Sequence, residues 1–132
     1  MSEQTKFDYV SKDFQKALGQ MLKALKQPKD EFVRDSAIQR FEFTFELFWK
    51  LLKEYAVMHG LDPRSPRECI RTAYELRTIE DEAVFQEMLK SRNLSAHTYL
   101  EETAEEIYAL LPGYAGAMQE VARRIELERN RE

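Results

Sequence analysis

The sequence predicts an all-α protein, and three observations carry that expectation. Apolar residues recur at three- and four-residue steps along nearly the whole chain. No Val/Ile/Thr-rich run alternates as a strand would. Only four Gly and four Pro interrupt the 132 residues. The expected architecture is an antiparallel up-and-down bundle of four to five helices, in one domain spanning residues 1–132.

The first helix is expected from about Tyr9 to Lys26. Phe7, Val10, Phe14, Leu18, Met21, Leu22 and Leu25 make one apolar stripe, and Gln27-Pro28 ends it. The second and longest runs from about Glu31 to His59, with Gly60 as its stop. It has two apolar rows. One is Ile38, Phe41, Phe45, Phe48, Trp49, Leu52 and Tyr55; the other is Phe43, Leu47, Leu51 and Met58. A helix apolar on two sides is usually sandwiched, here by its own bundle or by a second subunit. Glu42, Glu46, Lys50 and Lys53 run between the rows. They are either a solvated face with a Glu46–Lys50 pair or a strip whose carboxylates orient groups near a site.

Ser65-Pro66-Arg67-Glu68 opens a short third helix to about Leu76, with Ser as cap, Pro in the first position and Glu completing a capping box. Arg64, Arg67 and Arg71 fall near one face of it, as solvated cations or as phosphate contacts. Asp81 caps the fourth helix, whose stripe is Val84, Phe85, Met88 and Leu89. Thr98 to Glu101 reads as a second capping box opening the fifth helix. Pro112-Gly113 is expected to kink or break that helix before a last segment reaches about Glu128.

A net charge of −4 argues against a protein that coats nucleic acid, and acidic side chains outnumber basic ones after Tyr99. The single cysteine, Cys69, precludes an internal disulfide framework and fits a reducing compartment. No apolar run is long enough to span a bilayer and no signal-peptide pattern opens the chain, so the expected location is the cytoplasm, without membrane association. Two histidines in no helical ligand pattern give no metal site, and no Gly-rich phosphate loop is present; no cofactor is expected.

The chemistry-bearing stretch is Arg92-Asn93-Leu94-Ser95-Ala96-His97-Thr98-Tyr99. Arg92 offers a permanent planar cation, suited to phosphate oxygens. His97 can exchange a proton near neutral pH. Together they can cleave a phosphodiester without metal: His97 takes the proton of a ribose 2′-hydroxyl, and Arg92 stabilises the charge that grows on the phosphate. Tyr99 can position substrate or carry a modification. On one continuous helix, Arg92 and His97 would point about 140° apart. Convergence requires the helix to end near Asn93 to Ser95, or two chains to pair at this stretch. The plainer alternatives are that Arg92 complements the end of the fourth helix and that His97 and Tyr99 bond and pack locally.

The run Ile38-Gln39-Arg40-Phe41-Glu42-Phe43-Thr44-Phe45-Glu46-Leu47-Phe48-Trp49-Lys50 resembles the long-helix signature of nucleotidyltransferase substrate-binding proteins, members of the HEPN superfamily. Arg92, His97 and Tyr99 are similar to the Arg-x4-His-x-Tyr motif of HepT-type toxins in that superfamily, and Asn93 fits the polar position after the arginine. The resemblance covers about residues 7–127. It implies a homodimer with both motifs lining one cleft at the interface, and a metal-independent endoribonuclease with Arg92 and His97 as its catalytic pair. It also implies a nucleotidyltransferase antitoxin that transfers AMP from ATP to Tyr99 and so blocks RNA. The same family has a second description, a non-catalytic subunit that presents substrate to a nucleotidyltransferase. A third reading is a helical oligomerisation module with no ligand.

Overall fold

The computed structural model describes residues 2–96 and 100–131. They form five helices: α1 (Glu3–Leu25), α2 (Glu31–Met58), α3 (Pro66–Glu75), α4 (Glu82–Ser95) and α5 (Glu101–Asn130). The expected all-α bundle is what the chain adopts.

Local chemistry sets most of the boundaries. Ser2, Asp30, Ser65 and Asp81 stand in extended conformation and accept the backbone N–H three residues on, satisfying a donor that the first turn leaves open. Glu68 also accepts the Arg64 N–H at 2.7 Å, near the start of α3. Gly60 takes a positive φ of 78° just beyond α2, a conformation in which a side chain would be strained. Capped by Ser2, α1 starts at Glu3, six residues before the expected Tyr9, because the Ser2 hydroxyl supplies a cap that the apolar stripe alone does not reveal.

α2 is the axis of the bundle, in contact with all four other helices. Aromatic pairs give its orientation to its neighbours. Phe7 meets Tyr55 and Phe14 meets Phe48, so α1 runs antiparallel to α2. Phe85 stacks on Phe48 at 5.5 Å while Ser95 reaches Glu42, so α4 is also antiparallel to it. Arg129 pairs with Asp8, and Ser11 bonds Glu126, which sets α5 antiparallel to α1. The first apolar row of α2 supplies the core: Phe41, Phe45, Phe48 and Leu52 are buried, with Ile38 and Trp49 half-buried. The second row divides. Leu51 is buried, Leu47 and Met58 are half-buried, and Phe43 faces solvent.

The expected break at Pro112-Gly113 does not occur; α5 is one helix of 30 residues. Proline removes one backbone donor, which leaves the Tyr108 carbonyl without its usual partner. Pro112 and Gly113 lie on the exposed face, where water can serve that carbonyl. Leu111, Tyr114, Ala115 and Met118 hold the opposite face in the core. Packing therefore overrides the local penalty. The start of α5 also differs from the expected capping box at Thr98. Its N-cap is Leu100, which has no capping side chain, and Thr98 lies outside the described residues.

Candidate functional site

α4 ends at Ser95, with Ala96 as its C-cap, so the helix terminates within the Asn93 to Ser95 window that the Arg92–His97 spacing requires. Arg92 stands in the last turn of α4. The structure brings it onto the long helix: its Nη2 donates to Glu46 Oε2 at 3.2 Å. The same carboxylate oxygen accepts the Trp49 indole N–H at 3.1 Å, and Glu46 Oε1 lies 3.7 Å from Lys50 Nζ. Arg92 Nη1 also donates to Asn93 Oδ1 at 3.3 Å. One turn back along α2, Glu42 Oε2 accepts from the Ser95 hydroxyl at 2.7 Å, a donor shared with the Arg92 carbonyl at 2.8 Å.

The Glu46–Lys50 pair exists, and Glu42 and Glu46 also seat the end of α4 on α2. A buried bond of 2.8 Å between the Ser91 and Tyr114 hydroxyls sets the rotation of α4 from the other side. It immediately precedes Arg92, and Tyr114 itself stacks on Phe41. Arg92 is thus fixed by Asn93 on its own helix and Glu46 on α2, while the neighbouring Ser91 ties α4 to α5.

His97 and Tyr99, and Thr98 between them, lie outside the described residues. Their flanks are both held on α2. Ser95 is on Glu42, and beyond Leu100 the first turn of α5 is on Arg34. Arg34 is buried, donates to Asp35 at 3.0 Å, Glu105 at 3.0 Å and Glu101 at 3.3 Å, and is held firmly protonated by those bonds, Asp35 foremost. Glu105 also pairs with Lys29. Its carboxyl sits below the usual range, through the Lys29 hydrogen bond first and the Arg34 bond second. Sequence reasoning missed Arg34. The available signal was its place four residues before Ile38 and seven before Phe41, on the core-facing row of α2.

Two grooves flank this arrangement. A groove of about 600 Å³ lies between α2 and the start of α5, with Glu31, Asp35, Glu42 and Glu101 against the already paired Arg34. A second, of about 440 Å³, lies between α2, the start of α3 and the end of α4, with Trp49, Arg67, Arg92 and Asn93 in its lining. Cys69 is buried, and burial pushes its thiol up to about 11, so it is no nucleophile at neutral pH. Arg64 pairs with Asp62, and Arg71 with Glu75 and Glu82, which leaves Arg67 as the member of that trio without a carboxylate among the described residues. No cluster of His, Cys, Asp and Glu suited to a metal occurs among the described residues. Nor, among the described residues, is any helix long and apolar enough to cross a membrane.

The described residues thus form a five-helix bundle in which carboxylates of the long central helix seat the end of α4. The chain belongs to the family described as nucleotidyltransferase substrate binding protein like, whose model matches residues 10–127. Among solved structures, it is similar to a crystal structure of a Thermus thermophilus protein, with 38% identity and a TM-score of 0.81, over 85% of this chain and 98% of the other. No functionally curated protein matches significantly.

Proposed function

We propose that this protein is a metal-independent endoribonuclease toxin of a HEPN/nucleotidyltransferase pair. Arg92 and His97 are its catalytic pair, and Tyr99 is the site of inhibitory AMP transfer. The observation that carries this reading is the Glu46–Arg92 bond of 3.2 Å. It fixes a permanent cation at the last turn of α4, which ends two residues before His97. In the reaction, His97 removes the proton of a ribose 2′-hydroxyl. The oxygen attacks phosphorus to form a 2′,3′-cyclic phosphate, the bond to the 5′-oxygen of the next nucleotide breaks, and that oxygen leaves with a proton taken from water. Arg92 stabilises the added charge on the phosphate. Two protomers pair so that both motifs line one cleft, where Asn93 and Tyr99 help to position RNA. A nucleotidyltransferase partner attaches adenylate to Tyr99, and its bulk and negative charge exclude the substrate.

The family description favours a second reading, a non-catalytic subunit that presents substrate to a nucleotidyltransferase. The two diverge on His97, which only the nuclease needs for proton transfer. Wild type and His97→Ala are induced without a partner while growth and total RNA are followed. Under the nuclease reading the wild type arrests growth and cuts RNA, and His97→Ala does neither. If the folded, unmodified wild type leaves growth and RNA intact, the subunit reading replaces it.

A further inference from the structure

We infer that the groove between α2, α3 and the end of α4 is a binding subsite for one nucleotide of a single-stranded RNA, with Trp49 stacking on the base and Arg67 holding a phosphate. The inference rests on the nuclease reading in taking RNA as the ligand. It adds which side of Arg92 the strand occupies, which residues hold it, and that the strand must be unpaired.

Charge separates the two grooves. The larger carries four carboxylates against Arg34, whose guanidinium already serves three carboxylates of its own, and so repels a polyanion. The smaller carries Arg67 and Arg92 against Glu46 alone. Lys50, outside this lining, places its Nζ over the Trp49 ring, 6.0 Å from the centroid, and adds its charge nearby. Ser65 and Pro66 bring the positive end of α3 to the same lining. A chain with a net charge of −4 attracts RNA only where cations are concentrated, and this groove concentrates them beside Arg92.

The aromatic component is preorganised. Trp49 is half-buried, and its indole N–H is tied to the carboxylate oxygen that holds Arg92, so ring and guanidinium keep a fixed relation. A fixed ring at the rim of a groove offers a base a stacking surface at little entropic cost. Arg67 is exposed and has no carboxylate partner among the described residues, so its planar donor fork is free for phosphate oxygens. Stacking of this kind requires a base that is out of a duplex, which makes single-stranded RNA the substrate class.

The test uses Trp49 itself, the one tryptophan of the chain. A short 2′-O-methyl RNA strand, which lacks the attacking hydroxyl and cannot be cut by this route, is titrated into the full-length protein. Trp49 emission should be quenched on binding, and a duplex of the same sequence should bind more weakly. Arg67→Ala should weaken binding by about tenfold and lower the salt dependence by roughly 0.7 of a logarithmic unit per logarithmic unit of salt. Arg123→Ala removes the same charge from α5 and should leave binding unchanged. Trp49→Phe, followed by anisotropy of a labelled strand, should keep most of the affinity, while Trp49→Leu should lose it; circular dichroism checks that each variant is folded. The inference is overturned by unchanged emission, by equal effects of Arg67→Ala and Arg123→Ala, or by equal affinity for the duplex. Cleavage of an unmodified strand is read separately. Binding without cutting removes the nuclease reading and leaves the subsite. Cutting with unchanged binding by Arg67→Ala removes the subsite and leaves the nuclease.

Discussion

Glu46 has more to do than its place in a charged strip indicates. One of its oxygens holds both the Arg92 guanidinium and the Trp49 indole. An arginine side chain has many rotamers, and a catalytic cation is useful only where the developing charge will be. Glu46→Gln keeps the shape but weakens the bond to Arg92. The expected outcome, under the nuclease reading, is a fall in kcat of about tenfold or more with a smaller change in KM. Arg92→Ala should remove cleavage altogether. Glu46 and Arg92 are each about one-third exposed, so neither change should lower thermal stability by more than about 1 kcal/mol. Steady-state cleavage alongside thermal unfolding separates positioning from folding. A Glu46→Gln protein that cuts as fast as wild type would leave Arg92 positioned by other contacts.

Among the helices, α5 shows how packing outweighs local preference. Its proline stands in mid-helix, where the missing donor and the ring clash cost about 3 kcal/mol relative to alanine. Proline also stiffens the unfolded chain, which returns up to about 1 kcal/mol. Pro112→Ala should therefore raise the stability by about 2 kcal/mol, seen as a higher urea midpoint at unchanged slope. No gain would mean that the bundle depends on a bend in α5 at this point. The short α4 relies on partners from other helices for its orientation: Tyr114 through Ser91, Glu46 through Arg92, and Glu42 through Ser95.

Over the whole molecule, the starts of α2 and α5 are joined by Lys29, Arg34, Glu101 and Glu105. This joint has a pH signature. The Glu105 carboxyl is more acidic in the folded chain than its ordinary value of 4.5, chiefly because Lys29 and then Arg34 hydrogen-bond to its charged form. Its contribution is complete above that value and is lost as the pH falls through the lower folded value. Glu105→Gln should lower Tm at neutral pH and make the decline below pH 4.5 shallower than in wild type. Parallel declines in the two proteins would show that other carboxylates dominate acid unfolding.

What could be read before folding is short-range. The apolar stripe of α1, the first row of α2 and the Ser65 and Asp81 caps all follow from periodicity and from groups three or four residues apart, whereas the end of α4 near Ser95 is only one of two conditions under which Arg92 and His97 could converge. The chemistry-bearing stretch Arg92 to Tyr99 was legible for the same reason, since it lies within eight residues. Its partners were not. Glu46 meets Arg92 across 46 residues, Arg34 meets Glu101 across 67, and Ser91 meets Tyr114 across 23. Only the packing of the helices brings these groups together. The same packing carries α5 through Pro112 and leaves Phe43 in solvent, because the burial of one helix face against its neighbours outweighs the preference of any single residue.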